Sequence, residues 1–438
     1  GGGGPLNPPA GPVASTYKTL TEVEPRIAIS ALNTPGDADS LFKITQPGSY
    51  YLTGNIAGVV GKHGIEIVTS GVTLDLSGFA LSAFGPLTGT FDAITVTEPG
   101  QSNIAVLNGS IRQWGRDGVN LGDFNATGCR VEDVATTGNA RMGVNVGSSA
   151  VVSRCSASGG QYGVYARANS TVSSCTATGA AFAGIIADPG SEIAHCSAYS
   201  NLDSGFIIDL GGTISDCSTF LNTGSGIRTG PGCTVAGCSA SGNSVSGINT
   251  GAGSTVLNCS TSNNSASGIV TGLGCTVSSC STYTNIASGI VTASGCTISS
   301  CMAFNNGASG ISTANGCTIA DCTSRFNSVD GILTSAECVI RGNNCSNNGS
   351  TASGAGIHAA GADNRIEANT CSNADRGIDV DAAGNIIVRN ACTGNGTNWD
   401  VVAGNICLVV QGATSAAIVG NTGGAAPGST DPNANFSY

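Results

Sequence analysis

Charged side chains, aromatic side chains and methionine are all scarce in this chain of 438 residues. Charged residues make up 10% of the sequence, aromatic residues make up 5%, and there are two methionines. Strong helix formers are therefore too few for a helical bundle, while a hydrophobic content of 40% is too high for a disordered chain. The composition indicates a β protein.

Basic residues are also few, with 16 Lys and Arg against 27 Asp and Glu and a formal net charge of -11. This balance argues against nucleic acid or an anionic membrane surface as a partner. No apolar run approaches the ~18 residues that a membrane helix needs, so the sequence predicts no membrane span. The chain begins at Gly1 rather than methionine, and we expect that a targeting segment was removed or is missing from this sequence.

A column of nine cysteines is the most informative feature present, because all but the first step between them are identical. The cysteines are Cys155, Cys175, Cys196, Cys217, Cys238, Cys259, Cys280, Cys301 and Cys322. A fixed period in the range of about 20 to 50 residues is typical of solenoids, in which each unit stacks on its neighbours. One repeat runs through most of the chain, so we expect one elongated domain.

Each 21-residue unit contains two apolar segments with a period of two. The first begins with a Gly-Ile step, as at Gly226-Ile227, and the Thr two residues after the Ile points the same way. The second carries Val or Ile inward, as at Val235, and ends at the cysteine. These segments predict short strands whose inward residues stack on the same residue type in the next coil.

An asparagine column accompanies the cysteines, five residues beyond each of the last seven. Its regular members are Asn222, Asn243, Asn264, Asn285, Asn306 and Asn327, with Asn201 before them. A side-chain amide at a turn can bond the backbone and the amide of the next coil, so we predict a structural ladder. Asn343, Asn369 and Asn390 take over the cysteine position further along. Counting the looser coils at both ends gives about 16 coils and a rod of ~75 Å.

The G-I-x-T, T-I-x-x-C/N and Asn-ladder phrases resemble the right-handed parallel β-helix repeats of the pectate-lyase-like superfamily. The opening stretch from Ile44 to Leu52, followed by Gly71 to Leu76, is similar to the first coils of secreted bacterial members. The resemblance implies an all-β, right-handed, single-stranded parallel β-helix of about 16 coils, located outside the cell or at its surface. We predict an extension at residues 1–40, the β-helix at 41–421 and a tail at 422–438. The family includes lyases, hydrolases, epimerases, tailspikes and non-catalytic proteins, so the fold does not decide the function.

The nineteen cysteines leave two alternatives open. In a secreted chain they are compatible with disulfides, and stacked residues ~4.8 Å apart fall within the required Cα range. The other alternative is a stack of buried free thiols that act as small hydrophobic side chains. A second column, Cys233, Cys275, Cys296, Cys317 and Cys338, is interrupted by Ser254 and is expected to pack beside the first. The spacing matches no zinc site, and no metal or cofactor is predicted.

Asp, Glu, Lys, Arg and His are absent from the sequence between Arg228 and Asp321, which excludes acid–base chemistry from the central coils. Two candidate ligand sites remain nearer the ends. The first is an outward column just before the cysteine position, with Arg112, Asp133 and Arg154 and, further along, His195 and Asp216; alternating charges there are also typical of surface ion pairs. The second is His358 stacked under Asp379, with Asp375, Arg376 and Asp381 nearby. We identify no catalytic residue by motif.

The two ends and the outer surface suggest a function. The sequence shows no capping helix at either end, and bare terminal strands can pair with another chain. We therefore expect a non-enzymatic extracellular structural protein that stacks head-to-tail into a filament or surface layer, with itself as partner. Surface glycans are a further candidate ligand, since Tyr199 beside Phe220 and Tyr283 beside Phe304 form an aromatic stripe. The alternative is a polysaccharide-active β-helix, namely a lyase, a hydrolase or a glycan-binding module.

Overall fold

The computed structural model describes residues 24–83, 89–349, 353–411, 417–420 and 431–438. The Gly/Pro-rich segment predicted at Gly1–Pro12 lies outside the described residues, as do residues 421–430 of the predicted tail. All regular structure in the described part of the chain is β-strand. No helix in that part has the length and apolarity needed to cross a membrane.

Three parallel β-sheets run along the stack of coils. Sheet 1 consists of Ser40–Ile44, His63–Ile67, Ile94–Val96, Val119–Asn120, Met142–Val146, Tyr162–Ala166, Ile185–Ala187, Phe206–Ile208, Ile227–Thr229, Ile248–Thr250, Ile269–Thr271, Ile290–Thr292, Ile311–Thr313, Ile332–Thr334, Ala355–Ala359, Arg376–Val380, Thr397–Val401 and Ala417–Gly420. Sheet 2 consists of Ile27–Ala28, Gly48–Tyr51, Val72–Asp75, Ala105–Arg112, Arg130–Thr137, Val151–Ser153, Thr171–Ser173, Glu192–Ala194, Thr213–Ser215, Thr234–Ala236, Thr255–Leu257, Thr276–Ser278, Thr297–Ser299, Thr318–Ala320, Val339–Arg341, Arg365–Glu367, Ile386–Val388 and Ile406–Cys407.

Sheet 3 shares the two eight-residue strands of sheet 2, which continue through the corner between the two sheets. Its other strands are Ile56–Ala57, Ala80–Ser82, Ser156–Ser158, Thr176–Thr178, Ser197–Tyr199, Ser218–Phe220, Ser239–Ser241, Ser260–Ser262, Ser281–Tyr283, Met302–Phe304, Thr323–Arg325, Asn344–Ser346, Thr370–Ser372, Ala391–Thr393, Val409–Gln411 and Asn435–Ser437. The chain passes through the three sheets in turn, which confirms the parallel β-helix.

Equivalent residues lie directly over one another along the stack. Ile227 pairs with Ile248, and Ile248 pairs with Ile269, in sheet 1. Sheet 1 contains 18 strands where the sequence predicted about 16 coils. The additional strands lie at the two ends, at Ser40–Ile44 and Ala417–Gly420, where the Gly-Ile phrase is missing. At ~4.8 Å per step, the 18 strands extend for about 80 Å.

Glycine before the inward Ile permits the close approach of consecutive coils. A Cβ on Gly268 would lie 2.4 Å from the Thr261 Oγ1 and 2.7 Å from the carbonyl oxygen of Gly289 in the next coil. The same conflict recurs in neighbouring coils, for example at Gly289 against Gly310. In these regular coils, a larger residue at the glycine position would push two coils apart.

The interior is a set of rows of identical or similar side chains. Ile227, Ile248 and Ile269 are fully buried, and the Thr two residues beyond each is 4 to 7% exposed. All nineteen cysteines are free thiols and are buried. The alternative of stacked free thiols is therefore the one present in the structure.

The cysteine column is a hydrogen-bonded ladder. The N–H of Cys175 donates to the Sγ of Cys196 at 3.3 Å, and the N–H of Cys196 donates to the Sγ of Cys217 at 3.3 Å. The thiol of Cys196 also approaches the carbonyl oxygens of Val172 and Ala194, at 3.5 and 3.2 Å. Each of these buried N–H groups thus has an acceptor in the next coil, which avoids the cost of an unpaired group.

The asparagine ladder is confirmed. Both the backbone N–H and the side-chain Nδ2 of Asn222 donate to the Oδ1 of Asn243, at 3.1 and 3.0 Å. Asn243 repeats the same pair of bonds to Asn264, and all three residues are fully buried. The Nδ2 of Asn222 also reaches the carbonyl oxygen of Ala198 at 3.1 Å, so this amide has partners on two coils.

The predicted boundaries of the β-helix need two corrections. Ile27–Ala28 pairs with Tyr50–Tyr51 in sheet 2, so the stack begins inside the segment predicted as an extension. At the other end, Asn435–Ser437 lies in sheet 3 between Ala391–Thr393 and Val409–Gln411. The Oδ1 of Asn435 accepts from the N–H of Asn390 at 2.9 Å. The last described residues are therefore part of the sheet and not a free tail.

Candidate functional site

The outward row of sheet 1 brings titratable residues together at both ends of the stack. The register defines this row as Lys43, Glu66, Thr95, Asn120, Asn145, Tyr165, Ile186, Ile207, Arg228, Asn249, Val270, Val291, Ser312, Leu333, His358, Asp379 and Asp400. Its middle is mostly aliphatic, while its C-terminal end carries an imidazole followed by two carboxylates. The side-chain chemistry along the row therefore changes at Leu333.

His358 is the centre of the C-terminal cluster. Its Nε2 lies 3.0 Å from the Oδ2 of Asp381, and its Nδ1 lies 3.5 Å from the Oδ2 of Asp330. Asp379 is the register partner of His358 in the next coil and is buried. Ligand-capable atoms of His358, Asp379 and Asp381 all lie within 4.8 Å of one another. The structure thus brings the three predicted residues of this site into one group.

Arg376 supplies the second cation of the cluster. Its Nη1 donates to the Oδ2 of Asp379 at 2.5 Å, and its Nε lies 3.4 Å from the Oδ2 of Asp400. The turn before its strand contributes Asp375, whose Oδ2 accepts from the N–H of Gly354 at 3.2 Å. Arg376 therefore holds two carboxylates of consecutive coils at one place on the surface.

The two central groups have perturbed proton affinities. The ion pair with Asp330 is the main cause that raises the pKa of His358 to about 9, and Asp381 adds to it. Burial raises the pKa of the Asp379 carboxyl, while the hydrogen bond from Arg376 opposes the shift. At neutral pH the imidazole is consequently protonated, and burial shifts the Asp379 carboxyl toward its protonated form.

The cluster carries more negative than positive charge. Even with Asp379 protonated, the three carboxylates of Asp330, Asp381 and Asp400 outnumber one imidazolium and one guanidinium. Asp330 lies in the turn before sheet 1 and was missed by the sequence prediction. The excess of carboxylates disfavours an anionic ligand unless a cation accompanies it.

The first predicted site is a set of surface ion pairs. Arg154 Nη2 lies 2.8 Å from the Asp133 Oδ2, and their side chains are 53 and 44% exposed. His195 and Asp216 lie 3.9 Å apart further along the same corner. Each of these four residues has a φ between 52° and 56°. The column is therefore formed by residues that share one left-handed backbone conformation at the corner.

Arg112 does not belong to this column. It pairs with Thr137 and Ser82 on sheet 3, because the coil from Val106 to its partner Val131 is longer than a coil of the regular repeat. The residue that stands over Asp133 is Asn108. The predicted grouping of Arg112 with Asp133 and Arg154 is therefore wrong.

A second polar cluster at the N-terminal coils was also missed. Asp92 and Asp117 are fully buried beside sheet 1. Arg141 donates through Nε to the Oδ1 of Asp117 at 2.8 Å, and Asn120 donates through Nδ2 to the Oδ2 of Asp92 at 2.9 Å. Burial is the largest cause that raises the pKa of Asp92, followed by the nearby charge of Asp117. Because its charged groups are paired with one another, this cluster fits a structural role.

The aromatic stripe on sheet 3 is only partly available to a ligand. The rings of Tyr199 and Phe220 stack on each other, with centroids 4.8 Å apart and planes 8° apart. Phe304 instead meets Phe326 edge to face at 5.4 Å. In the Tyr199–Phe220 pair, one face of each ring is therefore covered by the other ring.

Comparisons with known proteins agree with the coil architecture. Residues 92–230 match the family model for the right handed beta helix region, and residues 273–422 match that for the periplasmic copper-binding protein NosD. The search of curated protein sequences found no match.

Three solved structures illustrate the likeness. The A-module of the Azotobacter vinelandii mannuronan C-5 epimerase AlgE4 is 14% identical, with 78% of this chain and 91% of that chain covered and a TM-score of 0.40. Pectate lyase Pel9A is 15% identical, with 56 and 71% covered and a TM-score of 0.35. The tailspike protein of E. coli bacteriophage HK620 is 12% identical, with 87 and 71% covered and a TM-score of 0.36. Likenesses at this level carry no argument about activity. From its register and its ladders, and from the match of residues 92–230 to the model for the right handed beta helix region, the chain has the fold of a right-handed parallel β-helix.

Proposed function

We propose that the chain is a polysaccharide-active β-helix whose active site is the cluster around His358. The observation that carries this proposal is the meeting of His358, Asp379 and Asp381 on the outward row of sheet 1, with Arg376 bound to Asp379. Glycosidic bonds are broken by pairs of carboxyl groups that differ in proton affinity. This site places two carboxyl groups side by side, the buried Asp379 on the strand Arg376–Val380 and the more exposed Asp381 directly after it.

Each residue has a role in the proposed chemistry. Asp379, whose pKa burial raises, donates a proton to the leaving oxygen. Asp381 is more exposed, with its side chain at 56%, and its carboxylate attacks the anomeric carbon as the glycosidic bond breaks; water then displaces the sugar from Asp381. His358 stays protonated between Asp330 and Asp381 and positions both carboxylates. Because the cluster has an excess of negative charge, the substrate class we propose is a neutral glycan.

A screen of polysaccharides tests the proposal. The purified chain is incubated with neutral polymers, namely glucans, mannans and xylans, and with the uronates pectate and alginate. Reducing ends and the ultraviolet absorbance of unsaturated products are followed. Formation of reducing ends from a neutral polymer supports the proposal, and the absence of product from every polymer contradicts it.

Copper does not enter the proposal, although one matching family model is described as copper-binding. Copper favours imidazole, thiolate and thioether ligands. The matched range contains one histidine, His358, which is paired with two aspartates and held protonated. The cysteines in that range are buried, and the thiols of several donate to backbone carbonyl oxygens, as Cys296 does to that of Gly272. The donor set therefore does not fit a copper site.

A second candidate function is self-assembly outside the cytoplasm. Within the described residues, Ile27–Ala28 is paired along one edge only, and so is Val409–Gln411 at the far end of the stack. Such edges favour pairing with a second copy of the chain, as a filament or surface layer requires. The periplasmic description of one matched model supports a location outside the cytoplasm. Sedimentation of the full chain at increasing concentration tests this, and monomers throughout would contradict it.

A further inference from the structure

A groove lies at the corner that leads from sheet 3 to sheet 1, near the C-terminal end of the stack. Its volume is about 530 Å³, within the range of small-ligand sites. The lining includes Phe326, Asn347, Asn373 and Gly394, which each follow directly after a strand of sheet 3 in consecutive coils. The groove therefore runs along the stack for three steps, or about 14 Å at ~4.8 Å per step.

Small residues create this groove. Ala374 stands where the neighbouring coils have the ladder residues Asn348 and Asn395, and Gly349 also lines the groove. At the far end, a Cβ on Gly394 would meet the Oδ1 of Asn373 at 2.8 Å, so a side chain there would enter the same space. The groove is thus a local departure from the repeat.

The groove combines an aromatic ring with amides and one carboxylate. Phe326 is 43% exposed, and its backbone has a φ of 58°, which is unusual for a bulky residue. Arg325 lies over its ring at 5.3 Å, and Phe304 meets it edge to face. The ring is therefore held in place before any ligand arrives, which lowers the entropy cost of binding.

The polar groups of the groove are available for a ligand. Within the described part of the chain, the side-chain amides of Asn347 and Asn373 make no hydrogen bond to another residue. Asp375 is oriented by the N–H of Gly354, which donates to its Oδ2 at 3.2 Å. Two amides and a carboxylate beside an aromatic ring can bind the hydroxyls and the C–H face of a pyranose.

We infer that this groove binds a short segment of a neutral glycan. Asp375 is the one charged side chain among the described residues that line it, and the nearby guanidinium of Arg325 is engaged by the Phe326 ring and by Ser346, so no lining cation compensates the charge of a uronate. The inference rests on the proposed function, because it supplies a binding subsite for the same polysaccharide. Asp379 lies four positions beyond Asp375, or ~13 Å of extended strand, so the groove is distinct from the His358 cluster.

Isothermal titration of the full chain with oligosaccharides tests the inference. The probes are gluco-, manno- and xylo-oligosaccharides, with oligogalacturonate as the anionic comparison. We expect one neutral probe to bind the unchanged chain, and Phe326→Ala to weaken its binding roughly tenfold or more. Leu221→Ala is the matched control, since Leu221 occupies the same corner position five coils earlier, with a φ of 55° and 62% exposure. Equal binding by both variants, or tighter binding of oligogalacturonate, would overturn the inference.

Two further variants separate this inference from the proposed function. Asp375→Asn removes the charge of the groove and is expected to admit oligogalacturonate without changing the fold. Asp379→Asn is expected to stop turnover of polysaccharide and to leave oligosaccharide binding unchanged. If the unchanged chain turns over polysaccharide but Phe326→Ala does not change oligosaccharide binding, the groove proposal is wrong and the active-site proposal stands. If the unchanged chain binds oligosaccharide in the groove but turns over no polysaccharide, the groove proposal stands and the active-site proposal is wrong.

Discussion

Cys322 and Asn343 occupy the same position in consecutive coils and make equivalent hydrogen bonds, one through a thiol and the other through an amide. The N–H of Cys301 donates to the Sγ of Cys322 at 3.5 Å, and the N–H of Cys322 donates to the Oδ1 of Asn343 at 2.9 Å. The Nδ2 of Asn343 then reaches the carbonyl oxygen of Ile319 at 3.0 Å. The cysteine column is therefore continuous with an asparagine ladder, with a thiol sulfur as the acceptor in place of an amide oxygen.

This equivalence predicts which substitutions the cysteine column tolerates. Cys322→Asn is expected to change the free energy of unfolding little, because an amide oxygen can accept from the N–H of Cys301. Cys322→Ala leaves that buried N–H without an acceptor and is expected to cost about 1 to 3 kcal/mol. Urea unfolding of both variants measures the difference. Equal destabilisation by Asn and Ala would contradict the ladder role of the thiol.

The asparagine ladder predicts a larger effect in the middle of the stack. Asn264 is fully buried, accepts two hydrogen bonds from Asn243 and donates two to Asn285. Asn264→Ala is expected to cost ~2 kcal/mol or more, because several buried groups lose a partner. Asn258→Gly is the control at a corner with a φ of 54°, and its unfolding should be nearly unchanged.

The pKa of His358 predicts a pH dependence of stability. Its value in the folded chain, about 9, lies above the ordinary value of 6.5. The protonated imidazole therefore stabilises the fold fully below about 6.5, and this contribution is lost as the pH rises through about 9. The melting temperature of the unchanged chain should thus fall relative to His358→Gln across that window. Parallel curves for the two proteins would contradict the assignment.

Asp330 is the main cause of that shift, so it has its own test. Asp330→Asn is expected to lower the pKa of His358 more than Asp381→Asn does, because Asp330 is the larger cause and the more buried partner. Titration of the imidazole by NMR measures both values. A larger shift in the Asp381 variant would reverse the order that the structure gives.

The C-terminal strand predicts a local change on truncation. Ala434, Asn435 and Ser437 are at most 2% exposed, and their strand separates Ala391–Thr393 from Val409–Gln411. Removal of residues 431–438 is expected to speed hydrogen exchange in those two strands and to leave the central coils unchanged. Uniform exchange along the whole stack would show that this strand does not act locally.

The repeated part of the fold could be predicted because the same residue types return at a fixed interval. A row of isoleucines or asparagines has one arrangement that buries it, so the register followed from the spacing. The two ends could not be predicted in this way. Asn435 continues the ladder after Asn390, but it lies far beyond one repeat interval in the chain and has no periodic signal.

The candidate sites show the same limit. His358 and Asp379 are one repeat interval apart, and the sequence predicted their stacking correctly. Arg112 and Asp133 are separated by the same interval, yet the coil there is longer, because Val106 pairs with Val131, and so the two do not stack. Asp330 lies in a turn, and the alternation rule predicts side-chain direction only within strands. Its contact with His358 therefore could not be predicted from the spacing of residues.

The most direct test of the proposed active site compares two aspartate variants on a polysaccharide that the unchanged chain cleaves. Asp379→Asn removes the buried proton donor, while Asp216→Asn changes an exposed aspartate on a coil outside the His358 cluster, with its side chain at 60% exposure. Initial rates of reducing-end formation are measured at equal protein concentration. The melting temperatures of the two variants are measured first, to check that both are folded and equally stable. We predict a loss of at least a hundredfold for Asp379→Asn, as for removal of a general acid, and an unchanged rate for Asp216→Asn. Equal rates for the two variants would contradict the assignment of the active site to the His358 cluster.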